Sequence, residues 1–156
     1  MFIVEHRSTG KIVQAIIQSI EKDDYNHLSK DRYWFNWREE KKYEVYKLTL
    51  ENNQDILGLI ALERFPQESR IQIRLLAVSK ENRGTRGQYL NIAGDLIAYA
   101  AHQAHQAYGE WACISLVPKT ELINHYMNEY SFRRAGTSLY LDGTGLVELI
   151  NRFNHD

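Results

Sequence analysis

The chain has 156 residues, 44% of them hydrophobic and 25% charged, and its net charge is −1. That mix excludes wholesale disorder, and the charge gives no general basic character of the kind that gripping nucleic acid or an anionic membrane requires. The single cysteine, Cys113, excludes an intramolecular disulfide and a cysteine-rich zinc site.

No apolar run approaches the ~18 residues of a membrane span. The first six residues, Met-Phe-Ile-Val-Glu-His, lack the basic start and apolar run of a signal peptide. With the free thiol, this points to a cytoplasmic location. No repeat and no composition break divides residues 1–156, which read as one domain.

Phe2 to Val4 reads as a first strand, closed by Gly10. From Lys11 to Glu21, Val13, Ile16, Ile17 and Ile20 fall on one helical face, so the spacing predicts a helix there. Residues 22–42 are charged and aromatic and read as a short helix with a surface loop. Trp34-Phe35-Asn36-Trp37-Arg38 fits either packing on a sheet or the lining of a substrate mouth, and packing is the more ordinary use. Tyr43 to Leu50, Ile56 to Glu63 and Arg70 to Val78 read as a meander of strands two to four. The turns between them are Asn52-Asn53-Gln54-Asp55 and Pro66-Gln67-Glu68-Ser69.

A polar stretch from Ser79 to Gly87 leads into the strongest helix, Tyr89 to His105, with a stripe of Ile92, Leu96, Ile97, Ala100 and Ala104. Gly109 is its stop. Trp111 to Val117 is a fifth, apolar strand. Thr120 is the expected N-cap of a helix running to Tyr130. Phe132 to Ala135 and Ser138 to Leu141 form a closing strand pair, and Thr144 is the expected cap of a last helix. The helix between the fourth and fifth strands serves as a right-handed crossover, so those two strands run parallel in an otherwise antiparallel sheet.

That order resembles the GNAT superfamily of N-acetyltransferases. The sharpest likeness is at Gln88-Tyr89-Leu90-Asn91-Ile92-Ala93, followed by Gly94 and the pair Leu96-Ile97. The family pattern there is Gln or Arg, two residues, Gly, one residue, then Gly or Ala. Asn91 stands where the family has its middle glycine. A second register, Glu81-Asn82-Arg83-Gly84-Thr85-Arg86, also puts a glycine fourth but lacks the leading Gln or Arg. Toward the C-terminus, Tyr126 precedes Ser131-Phe132 where the family has a tyrosine and a Gly-Phe turn, with one extra residue between. The likeness spans residues 43–142 in outline. The string Lys119 to Tyr126 also resembles small bacterial GNAT-like proteins.

The resemblance implies a mixed α/β (α+β) fold with a mostly antiparallel sheet, a splayed parallel pair at the fourth and fifth strands, and helices on both faces. It implies acetyl-CoA as acyl-donor substrate and a small-molecule or peptide amine as acceptor, with no nucleic-acid or membrane partner; a homodimer is compatible with it. Backbone near Leu76, Ala77 and Val78 would hold the pantetheine arm. Gln88, Asn91, Ile92, Ala93 and Gly94 would hold the pyrophosphate at a helix N-terminus, with Arg83 and Arg86 on the phosphates. Tyr126 would protonate the leaving thiolate. Glu63, Glu110 and His125 are the candidate bases, each more ordinary as a surface or packing residue. The pair His102 and His105 lacks a third metal ligand, so no metal is expected. The alternatives are a non-catalytic acyl-CoA-binding or protein-interaction module on the same fold, and a regulatory partner without ligand.

Overall fold

Residues 11–21 do not form the helix their spacing predicts. In the computed structural model, which describes residues 1–155, Ile12–Ser19 is a strand, β2, lying antiparallel between β1 (Phe2–His6) and β3 (Glu44–Leu50). Val13, Ala15 and Ile17 face the main core with period two. Val13, Ile16 and Ile17 are β-branched and lose little in an extended chain, and pairing on both sides outweighs the helical spacing.

The region before β3 packs as short turns: Lys22–His27, a four-residue helix α1 (Lys30–Tyr33) and Trp37–Glu40. The predicted meander forms as β3, β4 (Asn53–Phe65) and β5 (Arg70–Val78), with β4 starting inside the expected turn, at Asn53. Tyr89 and Leu90, expected to open the long helix, instead form a two-residue strand, β6, on the outer edge of β1. The helix itself, α2, runs Ile92–Tyr108 and stops at Gly109, whose φ is +64°. Then follow β7 (Cys113–Leu116), α3 (Ile123–Tyr130), β8 (Arg133–Ala135), β9 (Ser138–Asp142) and α4 (Gly143–Phe153). Neither expected threonine cap forms. Thr120 opens a 3-10 turn ahead of α3, and Thr144 lies inside α4, where Asp142 is the N-cap.

The nine strands among the described residues make one sheet in the order β6-β1-β2-β3-β4-β5-β7-β9-β8. In it β5 and β7, the two strands joined through α2, run parallel. Helices α2 and α4 cover one face through Leu96, Ile97, Leu146, Leu149 and Phe153. Tyr25, Tyr33 and Trp37 cover the other face against Val45, Leu59 and Ala77. The mixed α/β fold with helices on both faces is therefore the observed one. Two glycines set how closely α2 sits. A Cβ on Gly58 would strike Ile92 and Leu96, and one on Gly94 would run into the Phe153 ring.

No helix among the described residues is long and apolar enough to cross a membrane. No cluster of three metal-ligating side chains occurs among them either, and His102 and His105 sit on α2 without a third ligand.

Asp95, in the first turn of α2, is 1% exposed, and neither carboxylate oxygen has a hydrogen-bond partner among the described residues. Burial pushes its pKa up to about 8, against the opposing pull of the Met1 ammonium. An unfolded aspartate titrates near ~3.9. The folded protein therefore holds a proton that the unfolded chain releases between about pH 4 and 8. The contribution of this group to stability is highest below that window and falls as pH rises through it. Asp95→Leu, which keeps the branched heavy-atom skeleton and has no buried polar atoms, is expected to raise stability at pH 8 by about 1–3 kcal/mol. The gain should shrink at pH 5, and urea denaturation at the two pH values checks both.

Candidate active site

The site begins with one extra residue in β5. Ala61 pairs with Leu75 and Leu62 with Ile73, so Arg74 is a bulge. Its effect shows in the packing. Ile71 and Ile73 face the α2 side, whereas beyond the bulge Leu76 and Val78 face that side and Leu75 and Ala77 the other. Pairing of β5 with β7 also ends there, at Ile73 and Leu116. Past that point the strands part, and a cleft of about 1070 Å³ opens between them. Pockets for drug-sized ligands run ~300–1,000 Å³, so this one suits a long ligand.

One wall is the free edge of β5. The Ser79 N–H donates to the Leu57 carbonyl on β4, so by alternation the main-chain groups of Ala77 also face β4. Those of Leu76 and Val78 then face the cleft. The Val78 carbonyl accepts a 2.9 Å hydrogen bond from Arg83 Nε, which leaves the Leu76 groups and the Val78 N–H on the open edge.

The far end of the cleft is the start of α2. Asn91 is the N-cap, with φ +80° and ψ 6°, and its side chain caps nothing. Asparagine is among the few non-glycine residues that enter this left-handed region readily. The first-turn amides of Ile92, Ala93 and Gly94 have no capping side chain, and all three residues line the cleft. The loop before them is tightly held. Arg7 donates to the carbonyls of Gly87 (2.6 Å) and Gly84 (3.1 Å), and Asn82 Oδ1 accepts from the Tyr89 N–H.

The opposite wall carries the segment after β7. Lys119, His125, Tyr126 and Tyr130 line it. Tyr126 is partly buried beside Tyr130 and Phe132, with ring centroids 6.1 Å away in each case. Burial raises its pKa, so the phenol keeps its proton through the neutral range. Burial raises that of Tyr130 further, with the Glu129 charge adding to it.

Of the residues singled out from sequence, Leu76, Val78, Arg83, Asn91, Ile92, Ala93, Gly94 and Tyr126 come together in this cleft. Ala77, Arg86 and Gln88 are not among the lining residues. Ala77 packs into the second core, and Arg86 sits exposed in the Gly84–Arg86 turn. The main chain of Gln88 is bonded to Glu81 and Arg7, and its side chain is exposed. The buried face of Gly94 answers to Phe153, a packing need the sequence motif does not reveal. Among the candidate bases only His125 lines the cleft. Glu63 is bonded to Arg74, and Glu110 lies in the Gly109–Trp111 turn at the other end of β7. The aromatic segment divides: Tyr33 and Trp37 are core, whereas Trp34 and Phe35 line the cleft. Sequence reasoning missed Arg7, whose only hint is a cation just after the first strand.

No family model matches the chain, and no curated protein sequence does. Solved structures do. The spermidine N-acetyltransferase of Vibrio cholerae, in complex with CoA and spermine, superposes with a TM-score of 0.65 at 16% identity, over 86% of this chain and 98% of that one. A Bacillus subtilis acetyltransferase in complex with CoA gives 0.56 at 14%, over 83% and 99%. A bacterial toxin gives 0.63 at 10%, over 92% and 99%. At these identities the likeness is one of fold. The chain has the GNAT fold.

Because Asn91 already sits where glycine is at ease, Asn91→Gly should leave stability within about 0.5 kcal/mol of the parent. Asn91→Val, β-branched in the same left-handed position, should lose about 1–2 kcal/mol. Thermal or urea denaturation distinguishes them.

Proposed function

We propose that the protein is an N-acetyltransferase that moves an acetyl group from acetyl-CoA to a primary amine of a small-molecule or peptide acceptor. The observation that carries this is the meeting, in one cleft, of uncapped first-turn amides on α2 with a free main-chain edge on β5. Amides at the positive end of a helix suit a pyrophosphate. A free strand edge suits the amides of a pantetheine arm, which would add to β5 as a further strand does. The Vibrio and Bacillus neighbours, both in complex with CoA, support acetyl-CoA as the donor.

In this reading Ile92, Ala93 and Gly94 hold the phosphates through main-chain N–H groups, with Asn91 giving the turn its shape. Arg83 and Lys119 add positive charge, while Arg7 keeps the loop in place. The free edge of β5 at Leu76 orients the thioester, and an N–H there polarises its carbonyl. The thioester is already activated, so positioning supplies much of the rate. The acceptor nitrogen forms the new C–N bond as the C–S bond breaks, and Tyr126 gives its phenolic proton to the departing sulfur. Water or His125 takes the proton released by the amine.

Acetyl-CoA is expected to raise the melting temperature, and its affinity is read by calorimetry. Ala93→Glu places bulk and negative charge at the phosphate position and should abolish binding while the protein stays folded. Unchanged affinity in that variant would remove the placement. Thiol release from acetyl-CoA across an amine panel tests catalysis; tight binding with no turnover of any amine would leave the non-catalytic acyl-CoA-binding reading. Tyr126→Phe keeps the ring in place and should lower kcat by ~10²-fold or more, with acetyl-CoA affinity nearly unchanged because that proton matters only as the thiolate forms.

A further inference from the structure

We propose that the acceptor enters on the face of the sheet opposite α2 and is an amine borne on an apolar or aromatic group, seated against the indole of Trp34, and not a polyamine. This rests on the acetyltransferase reading and adds the class of acceptor.

The first observation is strain. Trp34 ends α1 with φ +72° and ψ −38°, a region that a bulky residue enters at a cost and that glycine occupies freely. The chain nonetheless places tryptophan there, half exposed and lining the cleft. Packing does not account for it. Its neighbours Tyr33 and Trp37 fill the second core, 1% exposed each, while the indole stays outside.

The second observation is how the ring is held. The Arg83 guanidinium stands 3.2 Å from the indole centroid. It is fixed by hydrogen bonds to the carbonyls of Val78 and Arg32, both 2.9 Å. Arg32 is itself clamped by Asp55 and Glu81. A surface tryptophan without a task would not need this support. A ring set at the mouth of a cleft and backed by a fixed cation is a platform for an apolar or aromatic surface. The same cation opposes a second cation on that ring.

The third observation is charge. A chamber of about 430 Å³ shares Phe35, Arg74 and Leu75 with the cleft and extends it on this face. Of the two carboxylates that line it, Glu40, 5% exposed, is bonded by Arg74, which also holds Glu63 outside the chamber and stacks on Tyr43 at 3.6 Å. Lys30 and Lys42 line the same chamber without a carboxylate partner among the described residues, and Glu39 is the remaining acid. A polyamine needs a row of free carboxylates, and this face offers cations and rings.

The test measures kcat/KM by thiol release at saturating acetyl-CoA for phenethylamine, ethylamine and spermidine. Phenethylamine is expected to exceed spermidine at least tenfold. Trp34→Gly should lower the phenethylamine-to-ethylamine ratio at least tenfold while the melting temperature holds or rises, because the backbone strain is relieved. Trp34→Phe, which keeps a ring, should restore most of the ratio, which a purely structural role for the indole would not predict. If spermidine matches or exceeds phenethylamine, or if Trp34→Gly leaves the ratio unchanged, the acceptor class is overturned while acetyl transfer stands. If acetyl-CoA itself fails to bind, the acetyltransferase reading falls and the acceptor class with it.

Discussion

One inserted residue governs the site. The parallel pairing of Arg70–Ile73 with Cys113–Leu116 uses the whole of β7 and stops immediately before Arg74. Arg74 has no partner in the register with β4, and beyond this bulge β5 runs on to Val78 without β7. Everything functional follows from that parting. It frees the main-chain edge at Leu76, it exchanges which side chains face each layer, and it opens a passage that joins the start of α2 to the aromatic segment on the other face. The guanidinium of Arg74, held between Glu40 and Glu63 and stacked on Tyr43, keeps the bulge in place.

The second constraint is closeness. Gly58 lets Ile92 and Leu96 lie directly on β4, and Gly94 lets Phe153 of α4 reach the α2 backbone. Helix α2 is therefore clamped between the sheet and the last helix, and its first turn is held rigidly at the cleft. Asp95 sits in that same turn with no hydrogen-bond partner among the described residues. A rigid helix start presents its amides in a fixed direction, and fixed dipoles bind anions better than mobile ones because no reorganisation opposes them.

How much of this the sequence disclosed depended on whether the signal was local. The long helix, the meander, the crossover and the Asn91 position were legible because each rests on periodicity or on a short motif in order. The strand at Ile12–Ser19 was not, because four apolar residues at helical spacing also satisfy a two-sided sheet once β1 and β3 are present, and β3 lies some way along the chain from it. The edge strand at Tyr89–Leu90 was hidden for the same reason, since its partner is His6 and Glu5. At the site, Gln88 and Arg86 stood in the motif but point elsewhere, whereas Arg7, outside any motif, anchors the loop. The threonines expected to cap α3 and α4 lost to 3-10 and aspartate starts, a matter of one or two residues that composition does not resolve.

The Arg7 anchor has a kinetic meaning. Loops that wrap phosphates often order only when the ligand arrives, and the rate of that ordering then limits association. Here residues 84–90 are tied to the first strand by two guanidinium bonds, by the Arg7 N–H on the Gln88 carbonyl and by the β6 pairing. The conformational entropy of the loop is spent during folding. A ligand meets a finished surface, so encounter should proceed in one step at a rate set by diffusion and charge, and differences in affinity among ligands should appear as differences in residence time.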